Sequence, residues 1–391
     1  MVPANCPLDR CGCTPGAGLS CQIDQLATCN ADGKSTSTST CALGCATEPR
    51  CLRFEPSNGL AGALDRSASE HDVVLPKGAT IETDGGVIRD SAGAVVDVKT
   101  EVIGTIRVFE AKSFIIDDAR ATGTAPLAFV ASGRVQITGL LDVSARGKSP
   151  GPGAHADGSC AGGDIHAVGA PGNYSGDGPG GGGHATSGAA GGGNNGTSGA
   201  AGGASFGATV PLTGGCRGGN VYAPDGSTLS NGGGGGGGIE IVSNTAITFG
   251  ATGVVSAAGG GGEPSAGGGS GGLIILEAPK LTFSGTASGI ATNGGSGGCP
   301  NLSGKDGTRT TAAAPGCGTQ APGSGGTGLL PPQMGYVCVA NGTNFCIINQ
   351  IAPAGGGAGG SAQITTQTGT YDHAASTVTS SEIAALAMIV E

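Results

Sequence analysis

The feature that most constrains this fold is a spacing of apolar residues that occurs four times, starting at Ile106, Leu127, Ile239 and Leu273. Apolar residues that alternate with period two are typical of β-strands, and recurrence of the pattern as a block indicates stacked repeats. The copies start 21, 112 and 34 residues apart, so the shortest interval predicts a repeat of 21 residues. The copies comprise Ile106, Val108, Phe109, Phe114 and Ile116; Leu127, Phe129, Val130, Val135 and Ile137; Ile239, Ile241, Val242, Ile247 and Phe249; and Leu273, Ile275, Leu276, Leu281 and Phe283.

A repeat of this length, with three short strands and three corners, predicts an all-β chain folded as a parallel β-helix over residues 61–379. Equivalent residues of successive repeats then stack as ladders. We expect one interior ladder of Ile116, Ile137, Phe249 and Phe283, a second of Val108, Phe129, Ile241 and Ile275, and a third strand marked by Val143, Val255 and Ile290. A β-sandwich with long glycine loops is the alternative, which the repeated register makes less favourable.

The longer intervals predict insertions that leave the repeats at one corner. We name residues 147–238, 259–272 and 294–360 the first, second and third excursions. They are rich in Gly, which supplies 83 of the 391 residues. Such a composition is typical of flexible loops, but Gly also allows polyproline-II-like segments to pack side by side, since it has no Cβ. Cys160 and Cys216 both lie in the first excursion and can close it as a disulfide, which favours order.

The C-terminal residues 380–391 are predicted to form a capping helix that starts with Ser. Such a helix would cover the open end of the repeats, where strand edges are otherwise unpaired.

The chain has 14 Cys, which indicates disulfides and an oxidising compartment. Residues 1–60 hold eight of them and are too small and polar to bury a large core, so we predict a disulfide-defined module. Zinc is the alternative for Cys11 with Cys13 and for Cys41 with Cys45, although CxxC spacing is absent. The predicted disulfide residues are Cys6, Cys11, Cys13, Cys21, Cys29, Cys41, Cys45, Cys51, Cys160, Cys216, Cys299, Cys317, Cys338 and Cys346.

The run from Cys21 to Leu60, CQIDQLATCNADGKSTSTSTCALGCATEPRCLRFEPSNGL, resembles a module at the front of large secreted, glycine-rich cell-surface proteins of myxobacteria. Those proteins have no assigned activity. The resemblance covers about forty residues and implies an extracellular or outer-surface location, with no catalytic residue. Residues 1–6 lack the basic and apolar regions of a signal peptide, so we expect that a signal peptide has been removed from this chain.

Charge excludes several partner classes. The net charge is −10 and charged residues make up 12% of the chain, which argues against binding to nucleic acid or to an anionic membrane. No apolar run approaches the roughly 20 residues that a membrane-spanning helix needs. The partners we predict are extracellular polysaccharide or another surface protein, with self-association as a further alternative.

Catalytic candidates are few, and no convincing constellation emerges. Asp117 and Asp118 are the best acid/base pair, because polysaccharide-active β-helix enzymes use clustered carboxylates, and His166 is a third candidate. Adjacent strand residues point to opposite faces, however, and Asp is common at turns, so turn carboxylates are the favoured interpretation. We predict no cofactor. Calcium is a weak alternative at the Asp-Gly pairs that begin at Asp157, Asp177, Asp225 and Asp306.

Two near-motifs are rejected by their context. The sequence DVSARGKS, from Asp142 to Ser149, differs from a phosphate-binding loop by an Asp in place of the first Gly, and no helix signal follows it. The strings centred on Ser270 and Ser296 satisfy GxSxG, but they lie in glycine runs without the strand-to-helix turn that exposes a nucleophile.

These observations favour a secreted, non-enzymatic structural or adhesive protein, in which a scaffold presents glycine-rich surfaces for binding or self-packing. The alternatives are a polysaccharide-active β-helix enzyme, either a lyase or a hydrolase, and a self-assembling subunit of an extracellular fibre.

Overall fold

A computed structural model describes residues 14–22, 25–41, 52–155, 158, 160–168, 175–193, 199–206, 210–310, 312–316, 325–326, 354–359, 361–366, 372–373, 377–378, 382–385 and 388–390. The described chain is all-β, with several sheets and very little helix. The helical elements in this part of the chain are a 3-10 turn at Ser57–Gly59 and helix α1 at Ala61–Ser67.

The strands are given in chain order. The first group comprises β1 (Gly18–Gln22), β2 (Gln25–Cys29), β3 (Thr36–Thr40), β4 (Leu52–Phe54), β5 (Asp72–Leu75), β6 (Ala79–Glu82), β7 (Val87–Arg89), β8 (Lys99–Ile103), β9 (Ile106–Ala111), β10 (Ser113–Ile116), β11 (Ala119–Thr122), β12 (Leu127–Ala131), β13 (Val135–Ile137) and β14 (Leu140–Asp142). The second group comprises β15 (Ile165–His166), β16 (Val221–Tyr222), β17 (Thr228–Ser230), β18 (Gly238–Ser243), β19 (Ala246–Phe249), β20 (Val254–Ser256), β21 (Leu273–Glu277), β22 (Lys280–Phe283), β23 (Gly289–Ala291), β24 (Ser361–Thr366), β25 (Asp372–His373), β26 (Thr377–Val378), β27 (Glu382–Ala385) and β28 (Met388–Val390).

Most strands belong to three long sheets. Sheet A has the order β25-β22-β19-β13-β10-β5, sheet B the order β26-β23-β20-β14-β11-β6-β7, and sheet C the order β27-β24-β21-β18-β12-β9-β8. From β9 to β27 the chain visits sheets C, A and B in turn, apart from the small sheet β15-β16-β17 inside the first excursion. The last strand, β28, pairs with β4 in a separate two-stranded sheet. Neighbouring strands are parallel, except that β7 and β8 pair antiparallel at the N-terminal end.

The main core lies between these three sheets. It is built from the alternate side chains of each strand that face inward. Ile116 pairs with Ile137, Ile137 with Phe249, and Phe249 with Phe283, which confirms the first predicted ladder. All four side chains are fully or almost fully buried, and the rings of Phe249 and Phe283 stack with centroids 4.4 Å apart. Each buried aromatic side chain of this kind stabilises the fold by about 1.5–3 kcal/mol relative to exposure.

The second predicted ladder is wrong at two of its four members. Phe129 pairs with Ile241 as expected, but its other partner is Phe109 rather than Val108, and Ile241 pairs with Leu276 rather than Ile275. Val108 and Ile275 instead belong to a second apolar cluster that includes Leu60 and Leu64. Both faces of sheet C are buried, so residues at odd and even positions of its strands are both apolar. The alternation in the sequence therefore does not reveal which of the two series of residues faces the main core.

The third-strand prediction also needs one correction. Val255 pairs with Leu141 and with Ile290, so Leu141 occupies the position assigned to Val143. Val143 is buried in the same core two residues later, beyond the end of β14. Period-two patterns permit such a shift of two residues because it keeps the side chain on the same face.

The predicted C-terminal capping helix is wrong. Residues 382–385 form β27, which extends sheet C beside β24, and residues 388–390 form β28, antiparallel to β4. A strand satisfies the exposed backbone donors and acceptors at the edge of a sheet directly, whereas a helix leaves them unpaired.

The N-terminal region and the cysteines are described in part. Strands β1, β2 and β3 form an antiparallel sheet. The predicted disulfide between Cys160 and Cys216 is present, with their Cα atoms 5.8 Å apart. Of the other cysteines predicted to form disulfides, four are also disulfide-bonded: Cys21, Cys29, Cys41 and Cys299. Cys6, Cys11, Cys13, Cys45, Cys51, Cys317, Cys338 and Cys346 lie outside the described residues, and the predicted module and its alternative zinc sites extend over several of them.

The described parts of the excursions are packed backbone against backbone. The N–H of Gly269 donates to the oxygen of Gly260 at 2.9 Å, and that of Gly295 donates to the oxygen of Gly269 at 2.8 Å. A Cβ on Gly235 would overlap the carbonyl oxygen of Gly215, so this approach requires a residue without a side chain. Hydrogen bonds between segments of all three excursions thus order the described glycine runs.

Candidate functional site

The two predicted acid/base residues lie at a corner of the fold, between β10 and β11. Oδ1 of Asp118 accepts a hydrogen bond from the N–H of Leu140 at 2.8 Å, and Oδ2 lies 3.5 Å from Nζ of Lys77. A carboxylate that accepts a backbone N–H of the next repeat acts as a structural cap. The geometry of Asp118 therefore agrees with the turn interpretation.

His166, the third candidate, lies on β15 within the first excursion and is exposed. Its ring stacks on Tyr222, with ring centroids 5.4 Å apart. Among the described residues no contact joins His166 to Asp117 or Asp118, so the structure does not assemble the three candidates into one site.

A cleft of about 440 Å³ lies where the first excursion meets the scaffold. Its walls come from the corner at Thr124, from the turn that contains Lys148, and from a later part of the first excursion. That later part supplies Arg217, Asn220, Asn231 and the glycines at 232, 234 and 235. Ligand clefts commonly enclose about 300–1,000 Å³, so this one has the size for a small ligand or one or two sugar rings.

Cationic side chains contribute to two walls of this cleft. Lys148 and Arg217 line it, and they are two of only five Lys and Arg residues after Gly147. Nζ of Lys148 lies 3.0 Å from Glu263, and the Arg217 guanidinium forms a forked pair with Asp164 at 2.8 and 3.0 Å. The Lys148 and Arg217 side chains are 58% and 40% exposed, so a ligand in the cleft can reach both.

Two amide side chains on the cleft wall are held in fixed orientations. Oδ1 of Asn220 accepts from the N–H of Gly232 at 2.8 Å, while Nδ2 donates to the hydroxyl of Tyr222 at 2.8 Å. Asn231 donates both its backbone N–H and its Nδ2 to Glu263, each at 2.9 Å. This wall is therefore ordered before a ligand arrives, which lowers the entropy cost of binding.

His155 also lines the cleft and lies beside the disulfide of Cys160 and Cys216. These three residues are the group of potential metal ligands found among the described residues, but the two sulfurs are covalently joined. A metal ion binds the thiolate form of cysteine, so the oxidised pair does not supply a metal site. Behind His155, the ring of Phe206 contacts both His155 and the buried His184.

The structure also contains a carboxylate pair that the sequence reasoning missed. Glu240 on β18 and Glu277 on β21 are buried beneath the segment Ser57–Ser67. Burial raises the pKa of Glu240 well above its ordinary value, and the neighbouring Glu277 raises it further. Burial likewise raises the pKa of Glu277. The available sequence signal was an ionisable residue inside an apolar strand, in IEIV and in LIILE.

Hydrogen bonds from the covering segment explain why this pair is closed to substrates. Ser57 donates its N–H and its hydroxyl to Glu277 at 2.8 and 2.7 Å, and Nδ2 of Asn58 donates to Glu240 at 2.7 Å. Oδ1 of Asn58 accepts from the N–H of Leu212, which links the first excursion to the same cluster. We interpret the pair as a fastening point for residues 57–67.

The remaining motif residues have structural contacts. The Ser270 hydroxyl is buried and accepts from the N–H of Cys216 at 2.7 Å, and Ser296 accepts from the N–H of Lys305 at 2.7 Å. Asp225 caps the N–H of Ser227, and Asp306 caps those of Gly147 and Gly261. Asp157 of the calcium alternative lies outside the described residues, whereas Asp177 lies within them.

Comparison with known proteins adds no assignment: no protein-family model, curated protein or solved structure matches the chain. Within the described residues, no helix has the length and apolar character needed to cross a membrane.

Proposed function

We propose that this protein is a secreted or surface-attached adhesive protein that binds extracellular polysaccharide. In this proposal a parallel β-helix is the scaffold, and the glycine-rich excursions build the binding surface beside it. The observation that carries the proposal is the cleft, whose cationic and amide side chains are held in place by Asp164, Glu263 and backbone N–H groups.

The order of the strands supports the scaffold. The chain visits sheets C, A and B cyclically, with parallel pairing between successive visits. In a repetitive scaffold of this kind, insertions that leave at equivalent corners lie on one side, and insertions on one face of a repeat protein often form its binding face.

The chemistry of the cleft supports a glycan. Fixed Asn side chains donate to and accept from hydroxyl groups, and Lys148 and Arg217 recognise carboxylate or sulfate substituents. The Cys160–Cys216 disulfide supports an oxidising location, since cytosolic thiols are kept reduced.

The carboxylates beside the cleft support binding in preference to hydrolysis. Glu263 and Asp164 are each engaged with a cation and with backbone N–H groups. A general acid needs a raised pKa, and hydrogen bonds from Asn231, together with Lys148, hold the pKa of Glu263 below its usual value although burial opposes them.

The test measures binding of the full chain to immobilised acidic and neutral polysaccharides, with release of reducing ends assayed in parallel. We expect binding to at least one polysaccharide, no product release, and about tenfold weaker binding for Lys148→Ala. Lys280→Ala, which removes an exposed lysine from β22, is the matched control and should bind like the unaltered protein. Absence of binding across the panel, or equal losses in both variants, would reject the proposal.

A further inference from the structure

Three arginines from separate parts of the chain converge on one buried carboxylate. Arg120 on β11 is the register partner of Asp142 on β14. Arg146 follows four residues later, in the tight turn whose ends are Arg146 and Ser149, and Arg309 comes from the third excursion. We name Arg120, Arg146 and Arg309 with Asp142 the arginine cluster.

The distances show an uneven arrangement. Oδ2 of Asp142 lies 2.8 Å from Nη1 of Arg120, 3.5 Å from Nη2 of Arg146 and 3.4 Å from Nη2 of Arg309. Oδ1 of Asp142 accepts instead from the N–H of Ser144 at 3.0 Å. A single oxygen thus receives one short and two long contacts, and only the bond to Arg120 has good length for a charged pair.

The arginine cluster carries more positive than negative charge. Three guanidinium groups face the one carboxylate of Asp142. Asp306, an acidic residue of the third excursion, accepts hydrogen bonds from the N–H groups of Gly147 and Gly261 instead. Burial lowers the pKa of Arg120, and the charges of Arg146 and Arg309 add to that effect while Asp142 opposes it. Like charges held together in this way gain stability when an anion binds between them.

Donors for such an anion are present at the surface. An arginine side chain has five N–H donors, and among the described residues the guanidinium groups of Arg146 and Arg309 each make one long hydrogen bond, to Asp142. Their side chains are 61% and 51% exposed, whereas the Asp142 side chain is 3% exposed. The buried carboxylate of Asp142 therefore holds the arginines together from the protein side, and the remaining N–H donors of Arg146 and Arg309 stay accessible to solvent.

We propose that the arginine cluster is an oxyanion-binding site, which takes the sulfate ester or carboxylate groups of an acidic polysaccharide. Planar guanidinium forks match oxyanions through paired hydrogen bonds, which a lysine does not provide. The proposal rests on the proposed function for the nature of the macromolecule, but the anion chemistry belongs to the cluster itself. It also gives the segment from Asp142 to Ser149 an anion site without a phosphate-binding loop, since Asp142 recruits arginines in place of backbone N–H groups.

The experiment compares the full chain with Arg146→Gln, Arg309→Gln and the double variant. Binding is measured to dextran sulfate, polygalacturonate and neutral dextran over a range of salt concentrations, and to inorganic sulfate by its effect on thermal unfolding. Arg134→Gln is the matched control, because Arg134 is an exposed arginine on the scaffold at the edge of β13. The double substitution to Lys keeps both charges and removes the forks, and it serves as a second variant where the Gln pair unfolds.

We expect the double Gln variant to lose about tenfold or more of its affinity for at least one of the two acidic polysaccharides, with a shallower salt dependence, and to lose the shift that sulfate produces. The Lys pair should show an intermediate loss, and Arg134→Gln should show none. Preference for dextran sulfate or for polygalacturonate identifies the substituent that is bound.

Two results separate the failure of this inference from that of the proposed function. Unchanged binding of acidic polysaccharide by the folded double variant would overturn the arginine cluster as a site while leaving adhesion intact. An unaltered protein that binds no polysaccharide, yet responds to inorganic sulfate only while Arg146 and Arg309 are present, would reject the proposed function and keep the oxyanion site.

Discussion

Replacing Glu240 with Gln should remove a loss of folding stability that the unaltered protein shows as the pH rises. Glu240 is fully buried on the outer face of sheet C. Its Oε2 accepts from Asn58, and its carboxyl group also interacts with that of Glu277, which a protonated Glu240 can donate to and an ionised one cannot. Gln has nearly the same shape, still accepts from Asn58, and adds an N–H pair that can donate toward Glu277. The substitution therefore removes the ionisation while largely retaining the packing.

The sign of the effect follows from the raised pKa of Glu240, which burial and Glu277 cause. The pKa of Glu in an unfolded chain is about 4.3. Below that pH, Glu240 is protonated in both the folded and the unfolded protein, and its contribution to the free energy of unfolding is fully present. As the pH rises through the native pKa, the buried group must ionise, and that contribution is lost. Each unit by which the native pKa exceeds the unfolded value corresponds to about 1.4 kcal/mol.

The expected magnitude comes from the cost of a buried, unsatisfied polar group, which is about 1–3 kcal/mol and greater for a charged one. Urea-induced unfolding, followed by circular dichroism between pH 4.5 and pH 8.5, measures the free energy of unfolding. We expect Glu240→Gln to be more stable than the unaltered protein by about 1–3 kcal/mol at pH 8 and to differ less at pH 4.5.

Glu82→Gln is the matched control, since Glu82 is exposed on β6 and should leave the pH dependence unchanged. The reasoning would be refuted if Glu240→Gln retained the full pH dependence of the unaltered protein, or if its stability fell at every pH. Glu277→Gln should act in the same direction as Glu240→Gln, because burial raises the pKa of Glu277 too.

Three further perturbations test the packing of the excursions. Gly235→Ala should lower the free energy of unfolding by about 1–3 kcal/mol or more, because the new Cβ overlaps the backbone oxygen of Gly215. Gly158→Ala, where a Cβ meets open space, should change it little, and chemical denaturation measures both variants. Replacing Cys160 and Cys216 together with Ser should cost about 4 kcal/mol, from the loop of 56 residues that the disulfide closes, and an unchanged melting temperature would contradict this. Burial lowers the pKa of His184 to about 4, so its contribution to the free energy of unfolding is present above pH 6.5 and is lost as the pH falls toward 4. The loss is about 3 kcal/mol, and thermal unfolding of His184→Phe at each pH should no longer show it.

The candidate sites illustrate what sequence reasoning reached and what it missed. Lys148 and Arg217 were recognisable as rare basic residues in an acidic chain, but their convergence on one cleft depends on the path of the first excursion. In the sequence, Asp142 is visible only as the residue that replaces the first Gly of a phosphate-binding motif. The structure shows that it recruits Arg120 and Arg309, which lie 22 residues before it and 167 residues after it.

By itself the sequence determined the strand-rich class, the register of Ile116, Ile137, Phe249 and Phe283, and the disulfide within the first excursion. Side chains alternate strictly along a strand, so a repeated apolar pattern determines which residues stack. Tertiary structure alone decided whether Val108 or Phe109 faces the main core, because helix α1 buries the outer face of sheet C and makes both parities apolar. It also decided which charges meet, since glycine-rich segments carry almost no side-chain pattern and their paths are set by backbone hydrogen bonds between segments distant in sequence.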